Sequence, residues 1–310
     1  MSFDIVVLGV FVADTAYRAS RQPKMGETIL GESFALGPGG KGSNQAVAAG
    51  MAGASVGMLT RLGMDPFADM ALATWSKAGV TSLASQHADS YTGAAYIFVD
   101  DSTGDNAIIV CPGVAARLGP SDIDAQQEAI ENSKVFLTQL EQPLATAEYA
   151  LRIAKQAGVT TILNPAPAAE LPASLLGLCD YVTPNESETE AITGMSVKTV
   201  EDATKAAEEL INRGATAAIV TLGENGSLFH DGAEATHVPA MSAGPVMETT
   251  GAGDAFNGGF AAGLAQGMPP LEAIRFATAT ASISVTRQGT APSMPARTEI
   301  EALLQKHSGD

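Results

Sequence analysis

Short apolar segments alternate with longer amphipathic segments along most of the chain. The apolar segments predict strands at residues 4–9, 55–60, 134–139, 160–164, 180–185 and 217–223. The amphipathic segments predict helices at residues 43–53, 67–79, 121–132, 144–158 and 199–214. Alternation of this kind predicts βαβ units and an α/β fold, in which a mostly parallel sheet carries helices on both faces.

Two early regions interrupt this alternation. Residues 11–39 are extended and punctuated by glycine, and residues 92–99 and 106–111 are strands joined by the turn sequence D-D-S-T-G-D. The regions 11–39 and 91–112 are therefore expected to form a small separate sheet that lies over the ligand site.

The composition is that of a globular protein, and it excludes some partners. Of 310 residues, 45% are hydrophobic and 16% are charged, so the chain can bury a substantial core. The net charge of −17 disfavours nucleic acid as a partner, although a nest of N–H groups can still hold a small anion. The N-terminus lacks the features of a signal peptide, and no apolar run reaches membrane-spanning length. A cytoplasmic location without a membrane partner is expected.

The stretch T-T-G-A-G-D, residues 249–254, places an acid directly after three residues with minimal side chains. An apolar segment follows, so the N–H groups of Gly251, Ala252 and Gly253 are expected at a helix N-terminus, where unpaired donors and the helix dipole favour anions. Asp254 is then either a proton acceptor beside an anion or an acid that complements the dipole. This stretch alone leaves both interpretations open.

The stretch P-G-G-K-G-S-N-Q, residues 38–45, also opens a helix. Lys41 and Asn44 are polar residues on a loop of small ones, which suits recognition of hydroxyl groups; a simple tight turn is the alternative. Residues 37–42 also match G-x-G-x-x-G, but a dinucleotide site would place that pattern directly after the first strand. Dinucleotide binding is therefore not expected.

Two further loops follow predicted strands. T-P-N-E-S-E, residues 183–188, places Asn185 and Glu188 three positions apart on a first helical turn. They could serve a hydrated Mg²⁺ that bridges phosphates, or they could cap the helix. T-L-G-E-N-G, residues 221–226, is a strand followed by a glycine turn and indicates little by itself.

Taken in order, G-G-K-G-S-N-Q, N-P-A-P-A, T-P-N-E, V-T-L-G-E-N-G and T-G-A-G-D-A-F-N-G resemble the signatures of the ribokinase-like (PfkB) carbohydrate kinases. The resemblance spans essentially the whole chain. It implies one three-layer α/β/α domain, residues 1–310, with a β-sheet lid that is often shared in a homodimer. It also implies phosphorylation of a sugar hydroxyl by ATP, with D-ribose as the expected acceptor and D-ribose 5-phosphate as the product.

The resemblance assigns roles to individual residues. Asp254 would be the base, and the N–H groups of Gly251, Ala252 and Gly253 would form the anion hole. The sugar would be bound by Asp14, Gly40, Lys41, Gly42, Asn44 and Glu141. The nucleotide would be bound by Asn185, Thr221, Gly223, Gly226 and Gly253, with Glu188 serving Mg²⁺. A monovalent cation, usually K⁺, would be bound by Glu248, Thr250, Ser284, Arg287, Gly289 and Ser293.

Two positions depart from the family pattern. Val12 stands where an asparagine is usual two residues before the sugar-binding aspartate, and Glu248 stands where an aspartate is usual. Loss of an amide that binds a hydroxyl changes which sugar fits. A deoxysugar, a ketose or a nucleoside are therefore alternative acceptors, and a non-catalytic sugar or nucleotide sensor is an alternative of another class.

Overall fold

The structure is a computed structural model that describes residues 2–307. Its strands are β1 (Ile5–Leu8), β2 (Val12–Ala19), β3 (Ser33–Gly39), β4 (Val56–Leu59), β5 (Arg61–Gly63), β6 (Val80–Ser82), β7 (Ser85–His87), β8 (Thr92–Asp100), β9 (Asn106–Gly113), β10 (Val135–Thr138), β11 (Thr160–Leu163), β12 (Tyr181–Val182), β13 (Ala217–Thr221), β14 (Ser227–His230) and β15 (Ala235–Val238). Its α-helices are α1 (Lys41–Met51), α2 (Pro66–Lys77), α3 (Pro120–Asp124), α4 (Gln127–Glu131), α5 (Leu144–Gln156), α6 (Ala173–Leu176), α7 (Glu186–Thr193), α8 (Val200–Asn212), α9 (Ala252–Ala265), α10 (Pro270–Ser284) and α11 (Arg297–Lys306).

Nine strands form a central sheet in the order β15-β14-β13-β12-β11-β10-β1-β4-β6. Neighbouring strands from β13 to β6 are parallel, whereas β14 and β15 run antiparallel at one edge. The prediction of a mostly parallel sheet is confirmed. Since the carboxyl ends of parallel strands meet at one edge, the loops after β10, β11, β12 and β13 lie side by side there.

Helices cover both faces of this sheet. Ile5 and Val7 of β1 belong to a core that includes buried residues of α1, α2, α9 and α10. Val6 and Leu8 belong to a second core, on the opposite face, with α3 and α5. Alternate residues of one strand are thus buried on opposite sides, which explains why the strands read as continuous apolar runs. The three-layer α/β/α architecture is confirmed.

A small sheet, defined here as β3-β2-β8-β9, is separate from the central one. The outer pairs β2–β3 and β8–β9 are antiparallel, and β2–β8 is parallel. Apart from Gly113 at the end of β9, its strands fall within the two regions that interrupt the alternation, and β8 and β9 form the predicted hairpin. The small sheet carries Asp14 in β2, so it contributes one of the residues expected to bind sugar.

The helix predictions are confirmed except at one place. Residues 121–132, predicted as one helix, form α3 and α4, with Gln126 between them at φ −121° and ψ 15°. No glycine or proline marks this break in the sequence. Among residues 2–307, none of the helices combines the length and the apolar character needed to cross a bilayer.

Candidate active site

Asp254 lies in the first turn of α9 and is 7% exposed. The helix begins after Gly251, whose φ of +82° is in the left-handed region that favours glycine. The N–H of Ala252 donates to the carbonyl oxygen of Thr249 at 3.1 Å. The N–H groups of Gly251, Gly253 and Asp254 have no acceptor among residues 2–307. Gly251 and Gly253 therefore offer the unpaired donors that the sequence predicts, whereas Ala252 is partly engaged.

Two amides from α1 hold the carboxylate of Asp254. Asn44 Nδ2 donates to Asp254 Oδ2 at 3.0 Å, and Gln45 Nε2 donates to Asp254 Oδ1 at 3.0 Å. Burial raises the pKa of Asp254, while the charge of Lys41 and the two amides lower it. The carbonyl oxygen Oδ1 of Asn44 is buried and has no hydrogen-bond donor in the described part of the chain.

The start of α1 lies against β1 and β2 because glycines allow close contact. A Cβ at Gly40, where φ is +88°, would lie 2.6 Å from the carbonyl oxygen of Val10. A Cβ at Gly42 would lie 2.7 Å from Cα of Gly9. This packing fixes Lys41, whose N–H donates to Glu141 Oε2 at 2.8 Å. The loop after β10 is thereby tied to the N-terminus of α1.

Three carboxyl groups, those of Asp14, Glu141 and Asp254, influence one another, and the charge of Lys41 acts on those of Glu141 and Asp254. Burial, the larger cause, and the charge of Asp254 together raise the pKa of Asp14 to about 6. The net pKa of Glu141 is raised to about 7: burial is the largest cause, the charge and N–H of Lys41 lower the pKa, and the charges of Asp254 and Asp14 raise it. The cluster can accept several hydrogen bonds.

Asn185 and Glu188 form a capping box at the start of α7, directly after β12. Asn185 N–H donates to Glu188 Oε2 at 2.9 Å, and Glu188 N–H donates to Asn185 Oδ1 at 2.8 Å. Glu188 is 7% exposed, and burial raises its pKa. Asn185 also pairs with Thr221 across neighbouring strand ends. The two residues thus cap α7, as one of the two interpretations predicts. They lie at the same edge of the central sheet as Asp254.

The turn after β13 requires glycine at two positions. Gly223 and Gly226 have φ of +53° and +86°, and a Cβ at Gly226 would lie 2.6 Å from the backbone nitrogen of Ala240. The backbone of this turn therefore packs closely against residues 238–240, at the end of β15. Beside it lies a cavity of about 440 Å³ that Leu222 and Asn225 help to line.

The residues expected at a monovalent-cation site lie in two adjoining segments. Glu248 Oε2 accepts the N–H of Gly289 at 2.8 Å. The hydroxyls of Ser284 and Ser293 donate to Ala281 and Thr290 carbonyl oxygens, and Thr250 is exposed. The guanidinium of Arg287 turns to Glu299 at 2.5 Å. The structure thus brings Glu248 and Gly289 together, while the guanidinium of Arg287 pairs with Glu299 and also donates to the carbonyl oxygen of Ser293 at 3.5 Å.

Comparison with known proteins identifies the family. A model of the pfkB family carbohydrate kinases matches residues 2–297. The chain belongs to this family. It is an ATP-dependent sugar kinase.

Curated relatives of this kinase include a deoxyribokinase from Salmonella typhi, 38% identical over 294 residues that cover 94% of this chain and 95% of the relative. A ribokinase from Haemophilus influenzae is 36% identical over 302 residues, covering 97% and 98% of the two chains. Among solved structures, Arabidopsis thaliana ribokinase complexed with ribose and ATP matches with a TM-score of 0.90 and 31% identity, covering 98% of this chain and 99% of the other. Thermotoga maritima ribokinase matches with a TM-score of 0.88 and 36% identity, with the same coverage.

The kinase also has a buried amide network that the sequence analysis does not assign. Gln45 Nε2 donates to Asn164 Oδ1 at 3.0 Å as well as to Asp254, and Gln139 Nε2 donates to Gln45 Oε1 at 2.5 Å. Asn164 Nδ2 donates to the carbonyl oxygen of Thr183 at 3.0 Å. Gln45 lies within the first signature and Asn164 opens N-P-A-P-A, so their motifs were visible although their contacts were not.

Proposed function

We propose that the kinase phosphorylates D-ribose to D-ribose 5-phosphate with ATP as donor and Asp254 as base. One observation supports this most directly. Asn44 Oδ1 is buried without a donor among residues 2–307, while Nδ2 of the same amide is bonded to Asp254. A buried polar atom without a partner costs free energy. A sugar hydroxyl would supply that donor beside the carboxylate.

The sugar would lie against the carboxyl groups of Asp14, Glu141 and Asp254. Each ring hydroxyl donates one hydrogen, and Asp14, Glu141 and Asn44 offer acceptors for such donors. Lys41 would donate to a sugar oxygen, as the cationic group within the cluster. The backbone at Gly40 and Gly42 borders the same loop and allows close approach.

The proposed chemistry is in-line transfer. The hydroxyl oxygen of the sugar attacks the γ-phosphorus of ATP, the bond from that phosphorus to the β–γ bridging oxygen breaks, and ADP leaves. Asp254 accepts the hydroxyl proton. This reaction needs positioning and charge stabilisation more than covalent catalysis. The unpaired N–H groups of Gly251 and Gly253, at the positive end of α9, would stabilise the developing charge.

Nucleotide and magnesium would lie along the neighbouring strand ends. Thr221, Gly223 and Gly226 would border the nucleotide, with Asn185 beside Thr221. The capping box uses only Oε2 of Glu188, so Oε1 suits a water ligand of Mg²⁺. Such an ion would be bound chiefly by phosphate and water. Mg²⁺ would neutralise charge on the transferred group.

A monovalent cation, K⁺ in our proposal, would lie where Glu248 meets the segment after α10. Its ligands would be Glu248 and Gly289, with the hydroxyl oxygens of Ser284 and Ser293, which donate their hydrogens elsewhere. Arg287 would serve only through its carbonyl oxygen, because its guanidinium pairs with Glu299; Thr250 would also serve through its carbonyl. Such a cation would add positive charge near the anion hole.

A second acceptor, 2-deoxy-D-ribose, is favoured by Val12. This residue is 4% exposed and lies two positions before Asp14 in β2, so the two side chains project from the same face. A buried valine cannot bind a hydroxyl and tolerates a sugar that lacks one. A Salmonella typhi relative bears the name deoxyribokinase.

The deciding experiment measures ADP release with D-ribose, 2-deoxy-D-ribose, a ketose and a nucleoside, for the wild type and Val12→Asn. We expect the highest kcat/KM with D-ribose, and Val12→Asn should raise the preference for D-ribose over 2-deoxy-D-ribose by about tenfold. A higher kcat/KM with 2-deoxy-D-ribose would select the second acceptor. Faster turnover of the ketose or nucleoside would contradict both.

The small sheet would act as a lid over the sugar and as the contact surface of a homodimer. Its strands carry exposed Tyr17, Phe34, Leu36 and Ile109. The paired positions place these side chains on one face, where the rings of Tyr17 and Phe34 lie 5.1 Å apart. An apolar face of this kind is typical of a protein interface.

Closure of the lid would exclude water that competes for the phosphoryl group.

A further inference from the structure

The amide of Gln45 connects Asp254 to the ends of two central strands. Gln45 lies in α1 and is 0% exposed, so its side chain is enclosed by protein. Its two Nε2 hydrogens serve Asp254 Oδ1 and Asn164 Oδ1, both at 3.0 Å. Gln139, which follows β10, donates to Gln45 Oε1 at 2.5 Å. If the Gln45 amide were flipped, its oxygen would face the acceptor oxygens of Asp254 and Asn164, and its N–H groups would face the N–H donor of Gln139. These three contacts therefore fix the orientation of the amide.

The same network anchors the first turn of α9 from a second direction. Thr183 Oγ1 donates to Asn257 Oδ1 at 2.6 Å, and Asn257 Nδ2 donates to the carbonyl oxygen of Gly253 at 2.8 Å. Thr183 follows β12 and receives a hydrogen bond from Asn164 through its carbonyl oxygen. The carboxylate and the turn that carries it are thus held by hydrogen bonds from the ends of β10, β11 and β12.

Close helix packing makes the contact between Gln45 and Asp254 possible. A Cβ at Gly258 would lie 2.5 Å from the carbonyl oxygen of Gln45 and 2.5 Å from Cβ of Ala48. Only glycine permits this separation of α1 and α9. The sequence thus accepts a glycine inside a helix at the level where the amide reaches the carboxylate.

We propose that Gln45 is a positioning residue, which holds the carboxylate of Asp254 in the orientation required to accept the proton of the sugar hydroxyl, and that Gln139 fixes the orientation of the Gln45 amide. The proposal rests on the function proposed above, with Asp254 as base. Gln45 acts through Asp254, because its hydrogen bonds are made to protein groups and its side chain is fully enclosed.

Several charged groups lie near Asp254. They are Lys41 at the start of α1, Asp14 of β2, Glu141 after β10 and Glu188 of α7. The charge of Lys41 lowers the pKa of Asp254, and Asp254 raises the pKa values of the three other carboxyl groups. Gln45 donates to none of these carboxyl groups and does donate to Asp254, where its hydrogen bond lowers the pKa. Removal of this amide should therefore raise the pKa of Asp254 and move the acidic limb of the profile of kcat against pH to higher pH.

The test compares Gln45→Met with Gln266→Met. Gln266 Nε2 donates to the carbonyl oxygen of Ala52 at 3.2 Å, so it also joins the regions of α9 and α1, but at their far ends. We expect Gln45→Met to lower kcat about tenfold to a hundredfold, with the KM for D-ribose changed less than about threefold and the acidic limb raised by about one pH unit. Gln266→Met should leave both the rate and the profile near those of the wild type.

Gln139→Met provides a second variant in case Gln45→Met does not fold. It keeps the donor to Asp254 and removes the contact that orients it, so a smaller shift in the same direction is expected. An unchanged acidic limb in Gln45→Met, or in Gln139→Met if only that variant folds, would overturn the positioning role. Near-normal turnover of Asp254→Asn would instead overturn the assignment of the base, so the two failures are distinguishable.

Discussion

At the scale of single residues, the carboxyl groups of Asp14 and Glu141 are held where ionisation is costly. Their pKa values are about 6 and about 7, raised chiefly by burial. A carboxyl group with a raised pKa in the fold binds protons more tightly there than in the unfolded chain. The free energy of unfolding is therefore reduced as pH rises from the unfolded to the folded pKa. A pocket that binds a sugar with carboxylates is expected to lower stability at neutral pH.

Asp14→Asn should therefore stabilise the sugar-free protein at pH 8 while it impairs sugar binding. The neutral amide avoids the cost of a partly buried charge, and we expect a gain of about 1 to 2 kcal/mol at pH 8 that disappears towards pH 4. Chemical denaturation at both pH values measures this gain. Asp101→Asn, at an exposed turn position, is the control and should show no such pH-dependent gain. A loss of stability at pH 8 in Asp14→Asn would contradict the prediction.

The sequence predicts the roles of only some of the residues in the site. Asp254 could be singled out because glycines surround an acid at a predicted helix start, a pattern that has a direct electrostatic meaning. Gln45 and Asn257 could not, because a glutamine or asparagine in a helix acquires a role only through partners distant in sequence. Ala252 shows the same limit, since its N–H turns out to bond Thr249 locally.

At the scale of elements, α9 owes its position to glycines that face its neighbours. A Cβ at Gly259 would meet Thr280 of α10 at 2.6 Å from Oγ1, and one at Gly263 would lie 2.9 Å from Cβ of Ala273. Gly258 does the same against α1. These glycines lower the intrinsic stability of the helix, but they allow α9 to pack closely against both α1 and α10.

Gly258→Ala should separate α1 from α9 and so disturb both the fold and Asp254. We expect the free energy of unfolding to fall by about 2 kcal/mol because of overpacking, together with a lower kcat. Gly177→Ala is the matched control: φ is −64° and a Cβ there would lie 3.6 Å or more from other atoms. Thermal and urea denaturation compare the two. Equal effects of both substitutions would rule out close packing as the reason for Gly258.

Most elements were predictable because amphipathic helices and buried strands have different periods. The capping pattern of Thr199 and Asp202 also reads directly from sequence, and the structure confirms it with reciprocal bonds of 3.1 Å. The break at Gln126 and the pairing of β14 and β15 at the sheet edge were not predicted. Both depend on tertiary packing, for which the local sequence carries no marker.

At the scale of the whole molecule, the small sheet leaves an apolar face exposed. Ile109 and Phe34 are 62% and 56% exposed, an arrangement that favours burial against a second copy. Ile109→Asp should place a charge in that contact and produce a monomer at micromolar concentration, as measured by sedimentation. Leu271→Asp, a 40% exposed position in the first turn of α10, should leave the dimer intact. A monomeric wild type would contradict the proposed dimer.

In the proposed reaction a buried carboxylate, held by two amides at a helix N-terminus, takes the proton from the sugar. The decisive measurement is kcat for Asp254→Asn at saturating D-ribose and ATP. The side chain keeps its size, and we expect ATP affinity to persist while kcat falls by about 10² to 10⁴. A kcat within about threefold of the wild type would mean that Asp254 is not the base, whatever its position.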